Sequence, residues 1–146
     1  MKNILMALST AALFAVPATA NAQSAKTQTA TPPTMLHSGA LHSLEAPTSG
    51  NVSVEEKAGK VTVKLSNLKT EAGPGLEVWL YAAAAPAKGA TDASIMAVKY
   101  LKVGDLKTFR GNFSFTAPAG TKIADFKSVV LWCATVKTAF AAGDLK

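Results

Sequence analysis

The stretch of sequence that decides the fold is NVSVEEKAGKVTVKL, residues 51–65. Apolar and polar residues alternate on both sides of the central KAGK, and a period of two is typical of a strand with one buried face. Ala58 and Gly59 stand where a tight hairpin would turn. The stretch therefore predicts an antiparallel hairpin whose buried side chains are Val52, Val54, Val61, Val63 and Leu65.

The same alternation continues towards the C-terminus. Further strands are predicted within LEVWLYAAA, over residues 95–103, within TFRGNFSFTAP and over residues 127–136, with a short strand reaching Phe140. Residues 86–93 are predicted to form a loop, and Gly and Pro separate the strands. The pattern predicts an all-β fold, an antiparallel β-sandwich that is immunoglobulin-like or similar, with about seven to nine strands.

The N-terminal residues have the pattern of a secretory signal peptide. Lys2 precedes an apolar run that Pro17 ends, and small residues follow up to Ala22. The run is too short for a transmembrane anchor, which needs about 20 apolar residues. We expect a signal peptide over residues 1–22, a flexible linker over 23–37 and one folded domain over 38–146. Cleavage near Ala22 would leave the mature chain periplasmic or extracellular.

Charge and motifs narrow the function classes. The formal net charge is +6, but the basic residues are lysines spread along the chain, and Arg110 is the only arginine. Nucleic-acid surfaces favour clustered charge and arginine, so no nucleic-acid partner is predicted. The chain has no Gly-x-Ser-x-Gly motif and no histidine after Cys133. We therefore expect no stand-alone catalytic activity.

Cys133 is the only cysteine, so the chain cannot form an internal disulfide. It is expected to be a monomer or a Cys133-linked dimer. Alternation places Cys133 and Leu131 on one face of the last long strand and Trp132 on the other. The Trp132 face carries the longer apolar stripe and is predicted to face the main core. Cys133 would then lie on the second face of the strand, which is apolar at its centre and exposed to solvent at its ends.

Each of the remaining candidate groups has both a structural and a functional interpretation. His37 and His42 are the histidines that could join Cys133 in a metal site, but they are five residues apart and lack the tight spacing of a metal site. They are better interpreted as solvated loop residues. Trp79 and Tyr81 share one face of their strand and either pack or line a binding surface, and packing is favoured. Cys133 itself is either a small buried hydrophobic residue or a working thiol. The residues leave both open.

Five segments, taken in order, resemble the DM-thirteen family, also called the electron transfer DM thirteen domain. They are APTSGNVSV, NLKTEAGPGLEVWLYA, VGDLK, GNFSFTAP and FKSVVLWC, and the resemblance covers about residues 38–145. The chain is similar to single-domain secreted bacterial members. The resemblance implies a β-sandwich with a part in extracellular redox or electron transfer. The family's cysteine, here Cys133, would act as a bare thiol or as the ligand of a prosthetic group such as haem.

Three positions depart from the family pattern. Ala46 stands where members often have a histidine, Gly75 replaces an aspartate after Gly-Pro, and Val136 stands where an aromatic is common. If that histidine is a partner of the cysteine, Ala46 removes it here, unless His42 takes its place. A bare thiol is therefore favoured over haem or metal binding through Cys133.

Two hypotheses follow for the function. The first is a secreted or periplasmic redox or electron-transfer module in which Cys133 is the key residue and the partner is a redox protein. The alternative is a non-catalytic β-sandwich that binds a cell-envelope protein, with Cys133 structural.

Overall fold

The computed structural model describes residues 34–146, so the expected signal peptide and most of the expected linker lie outside the described residues. Within them the chain forms nine strands and one short helix. The elements in order are β1 (Met35–Ala40), β2 (His42–Ser43), β3 (Ser49–Lys57), β4 (Lys60–Lys69), β5 (Leu76–Tyr81), α1 (Asp92–Met96), β6 (Tyr100–Asp105), β7 (Arg110–Thr116), β8 (Ser128–Cys133) and β9 (Thr138–Asp144). A single 3-10 turn, Ile123–Asp125, precedes β8.

The strands form two antiparallel sheets packed face to face. The first sheet has the order β1-β3-β4-β7, and the second has the order β2-β9-β8-β5-β6. The main core lies between them and is built from the inward-facing side chains of both sheets. The predicted all-β antiparallel sandwich is confirmed. No helix within residues 34–146 is long and apolar enough to cross a membrane.

The predicted hairpin is formed by β3 and β4. Val54 pairs with Val63, and Lys57 pairs with Lys60 across a two-residue turn. Ala58 and Gly59 both have positive φ angles, of 51° and 74°. This is the twist that lets a two-residue turn join two strands without splaying them. All five predicted core residues of the hairpin are buried.

The start of the domain ties the two sheets together along one side. Strand β1 pairs with β3 in the first sheet, and β2 pairs with β9 in the second. Leu41, between them, is buried in the main core. The first strand begins at Met35, before the expected domain start at Ser38. Gly39 packs so closely on the carbonyl of Asp144 that a β-carbon would overlap it.

One predicted strand, residues 95–103, is wrong in its first half. Residues 92–96 form α1, and β6 begins only at Tyr100. The Thr91 side chain caps the helix by accepting a hydrogen bond from the backbone N–H of Ser94, at 3.2 Å. The helix has one buried residue, Ile95, which is too little for a recognisable helical pattern.

The predicted end of the chain is also corrected. Strand β8 stops at Cys133, and residues 134–137 form a turn in which Lys137 has a φ of 53°. Strand β9 is then a full partner of seven residues, Thr138–Asp144, where only a short strand to Phe140 was expected. The turn therefore replaces the last three residues of the strand that alternation predicted over residues 127–136.

The hairpin turn makes a stability prediction. Most residues with a β-carbon are strained in the left-handed region, but Asn adopts it more readily because its short polar side chain can hydrogen-bond the local backbone. Ala58→Asn should therefore raise the free energy of unfolding by about 1 kcal/mol. Urea denaturation followed by circular dichroism measures the change. Ala119→Asn, in an exposed loop at a position without a positive φ, serves as the control and should leave the midpoint unchanged. Equal midpoints for Ala58→Asn and the wild type would contradict the argument.

Candidate functional site

Cys133 is the last residue of the central strand β8. It pairs with Leu76 of β5 on one side and with Thr138 of β9 on the other. Its side chain belongs to the main core between the sheets, together with Val129 and Leu131, and its exposed fraction is 0%. The thiol of Cys133 is thus fully buried.

The predicted assignment of faces was therefore wrong. The face that carries Trp132 points away from the first sheet, and the face that carries Cys133 points into the main core. Both faces of β8 are apolar, so the length of the stripe could not decide between them. The Trp132 face is also buried, but the segment after β5 covers it, with Ile95 of α1 packed against it. Phe140 also packs in the main core with Cys133.

The thiol of Cys133 is sealed by a turn and by one aromatic ring. The Sγ donates a hydrogen bond to the carbonyl oxygen of Pro74 at 3.2 Å. Gly73 is buried beside it, where a β-carbon would lie 2.8 Å from the ring of Phe140 and 3.4 Å from Sγ. Residue 73 must therefore be very small for the turn to lie flat on the thiol. We call residues 70–75 the sealing turn.

The sealing turn is attached to the sandwich at its two ends. At the first end, the backbone N–H of Thr70 donates to Phe109 at 3.0 Å, and its hydroxyl bonds the hydroxyl of Thr48 at 2.8 Å. At the second end, Gly75 accepts a hydrogen bond from Ala134 at 2.9 Å. Glu71, Ala72 and Pro74 between these ends are exposed. The cover over Cys133 is thus a thin layer whose other side is solvent.

The structure does not assemble a ligand set around Cys133. Ala46, where the family often has a histidine, is 3% exposed and belongs to the same core cluster, where it offers only a methyl group. His42 pairs with Ala142, four residues along β9 from the partner of Cys133, and it hydrogen-bonds the carbonyl of Pro86 at 2.8 Å. His37 lies in the other sheet, on edge strand β1. Within residues 34–146 no group of three or more His, Cys, Asp or Glu side chains could hold a metal.

The outer face of the second sheet carries a second cluster, which is aromatic. Trp79 and Tyr81 are buried there, so the prediction that they pack is confirmed. Trp79 stacks on Tyr100 with ring centroids 3.8 Å apart and on Trp132 with centroids 4.8 Å apart. The hydroxyl of Tyr81 donates to the carbonyl of Ile95 at 3.0 Å. Sequence reasoning missed this stack because it depends on the register between β5, β6 and β8.

A small network of charged groups borders the aromatic cluster. Glu77 accepts a hydrogen bond from the indole N–H of Trp79 at 2.8 Å and another from Lys102, also at 2.8 Å. Lys102 also pairs with Asp105 at 2.9 Å. The hydrogen bond to Asp105, followed by that to Glu77, raises the pKa of Lys102. The charged form of Lys102 is thereby favoured beside Glu77.

Comparisons with known proteins place the chain in a family. The fold is a two-sheet antiparallel sandwich with one cysteine sealed at the end of its central strand. The family model described as Electron transfer DM13 matches residues 40–145, and the chain belongs to this family. Searches of curated proteins and of solved structures find no match.

The tight packing at Gly73 makes a prediction for the sealing turn. Gly73→Ala would press a methyl group on the Phe140 ring, so we expect the free energy of unfolding to fall by about 1–3 kcal/mol. The same strain should speed the reaction of Cys133 with DTNB in the folded protein. Ala72→Ser, at the exposed neighbouring position, is the matched control and should change neither quantity. A Gly73→Ala variant with wild-type stability and thiol reactivity would show that the turn does not lie on the thiol.

Tyr81 makes a prediction for alkaline pH. Desolvation by burial raises its pKa above the ordinary value of 10.0, because the folded state disfavours the phenolate. Above pH 10.0 the unfolded chain loses this proton first, so the stabilisation, fully present below that pH, is lost as the pH rises through the folded pKa.

Urea unfolding of the wild type and of Tyr81→Phe, each measured below and above pH 10.0, tests this point. The free energy of unfolding should fall less steeply with pH in Tyr81→Phe than in the wild type. Parallel pH profiles would mean that Tyr81 does not contribute to the alkaline loss of stability.

Proposed function

We propose that this chain is a secreted or periplasmic electron-transfer module in which Cys133 is the redox group, reached when the sealing turn opens locally. Membership of the Electron transfer DM13 family supports the electron-transfer class. The N-terminal sequence pattern supports export across the cytoplasmic membrane. The proposal for Cys133 rests on its place at the end of β8, directly beneath the turn.

The observation that carries the proposal is the nature of the cover over the thiol. A thiol redox reaction needs contact between sulfur and its reaction partner, and a thiol without exposed surface cannot react in the closed structure. A strand or helix over Cys133 would have to unfold with the domain. A turn held at its ends by Thr70 and Gly75 can open alone, at a smaller free-energy cost.

The chemistry available to an opened Cys133 is thiol–disulfide exchange with a partner protein. The thiolate attacks one sulfur of the partner's disulfide, the S–S bond of the partner breaks, and a mixed disulfide and a partner thiolate result. A thiolate of a second, dithiol protein then attacks the Cys133 sulfur of the mixed disulfide and releases the first partner with both of its thiols reduced. The other thiol of the dithiol protein, acting as a thiolate, closes a disulfide in that protein and restores the Cys133 thiolate, so that two electrons pass from the dithiol to the first partner's disulfide. The sealing turn would restrict this exchange to partners that bind near it.

Haem or metal binding through Cys133 does not fit the residues present. Gly73, Pro74 and Phe140 fill the space against Sγ. Ala46 supplies no ligand atom, and the strand register keeps His42 away. A bare thiol remains the proposed mode of action.

The second candidate function is a non-catalytic binding module of the cell envelope with a structural Cys133. It is favoured by the complete burial of the side chain among Val129, Leu131 and the other core residues. In this case the thiol acts as a small hydrophobic residue, and the hydrogen bond to Pro74 satisfies it.

One experiment separates the two functions. The mature chain is reacted with DTNB at increasing low concentrations of urea, and the labelling rate is compared with the rate and free energy of global unfolding. The redox proposal expects labelling through an opening that costs less than global unfolding and that depends only weakly on urea. Labelling that follows global unfolding at every urea concentration would overturn it in favour of the structural cysteine.

The same preparation tests the expected oligomeric state. Because Sγ has no exposed surface, we propose that the chain is a monomer while the sealing turn is closed. On non-reducing electrophoresis, the wild type and Cys133→Ser should both migrate as monomers. A dimer band present only in the wild type would show disulfide pairing through Cys133.

A further inference from the structure

Three aromatic rings are stacked across three neighbouring strands on the outer face of the second sheet. Tyr100 of β6 lies on Trp79 of β5 with an angle of 10° between the ring planes. Trp79 in turn lies on Trp132 of β8 with an angle of 20°. Nearly parallel rings at such short separations bring their π faces into direct contact, which is a geometry that favours electron transfer between them. We call these three residues the aromatic stack.

The aromatic stack leads from the surface into a buried site. Tyr100 is 39% exposed and lies on edge strand β6, where another molecule can approach it. Trp79 and Trp132 are each only 2% exposed. An electron that leaves Trp79 for an acceptor in solvent therefore has a direct route through the ring of Tyr100.

Trp79 also has a proton acceptor in place. Its indole N–H donates to Oε2 of Glu77 at 2.8 Å. The other oxygen of Glu77 binds Lys102 at 2.8 Å, which holds the carboxylate in position. Loss of an electron makes an indole N–H far more acidic, and a carboxylate already within hydrogen-bond distance can take that proton without any movement of the chain. The carboxylate also stabilises the positive charge that forms on the ring.

We infer that the aromatic stack is a one-electron transfer site, in which Trp79 is the electron donor, Glu77 the proton acceptor and Tyr100 the surface contact. One electron passes from the indole of Trp79 through the ring of Tyr100 to a bound oxidant, and the Nε1 proton of Trp79 moves to Oε2 of Glu77. The products are a neutral indolyl radical, a neutral carboxylic acid and the oxidant reduced by one electron. Return of an electron to Trp79 and of the proton from Glu77 restores the site.

The partner that this site fits is a one-electron oxidant of high potential, such as the oxidised metal centre of another protein, because indoles give up electrons only to strong oxidants. It would bind at the free edge of β6. Beside Tyr100 this edge borders an open groove of about 290 Å³, which Lys99, Lys122 and Phe126 help to line. The inference shares the electron-transfer class with the proposed function but does not rest on Cys133.

Flash photolysis with tris(bipyridine)ruthenium and a sacrificial electron acceptor generates the oxidant in solution and tests the site. Transient absorption and electron paramagnetic resonance then identify the amino-acid radical. The wild type should form a neutral tryptophan radical, and Trp79→Phe should lose it, whereas Trp132→Phe should keep it. Tyr100→Phe should form the radical more slowly, because the phenylalanine ring is much harder to oxidise. Retention of the wild-type signal in Trp79→Phe would overturn the inference.

A second variant covers the case in which Trp79→Phe does not fold. Glu77→Gln keeps the side-chain shape and the hydrogen bond to the indole but removes the proton acceptor, so the radical should appear as the protonated cation. A neutral radical formed at the wild-type rate in Glu77→Gln would contradict the role of Glu77. Tyr81→Phe, which removes a phenol of the same face outside the aromatic stack, is the control and should behave as the wild type.

Cys133→Ala separates this inference from the proposed function. The aromatic stack should give an unchanged tryptophan radical in Cys133→Ala, whatever the outcome of the thiol labelling. Loss of the tryptophan radical in that variant would contradict the claim that the aromatic stack transfers an electron independently of Cys133.

Discussion

The rest of the structure depends on burying both faces of β8. All six residues of Ser128–Cys133 are buried, and burying one large aliphatic side chain such as Leu131 contributes about 1.5–3 kcal/mol. One face is covered by the first sheet and the other by the segment that contains α1. The sandwich alone would leave Val130 and Trp132 in solvent. The short helix α1, which the sequence did not predict, completes the second layer of cover.

Much of the fold could be predicted from the sequence, because alternation is a local property. The β3–β4 hairpin, its turn at Ala58 and Gly59 and its buried valines follow from the residues themselves. The orientation of β8 does not, because Val129 and Leu131 are as apolar as Val130 and Trp132. Only the partner that covers each face decides the orientation, and those partners lie far away in the chain.

The candidate site was predictable in part for the same reason. The sequence singles out Cys133 as the only cysteine, and the family resemblance, which the match over residues 40–145 confirms, singles it out again. The cover over its thiol could not be predicted, because it depends on the sealing turn packing against Phe140. Phe140 lies at a bulge between β8 and β9, where the pairing register shifts. The aromatic stack depends on the register of three strands, which a single sequence does not show. The signal peptide and the partner remain predictions.

The two faces of β8 thus present two different chemical settings, a sealed thiol inside and an aromatic stack outside. On this account, the sealing turn covers the thiol of Cys133 and opens without unfolding of the rest of the domain. Native-state hydrogen exchange tests it most directly, by comparing the amide of Ala134, which is bonded to Gly75, with that of Leu131 in the middle of β8. The account predicts that Ala134 exchanges through an opening with a lower free energy and a weaker denaturant dependence than Leu131. Equal free energies and equal denaturant dependence for the two amides would contradict it.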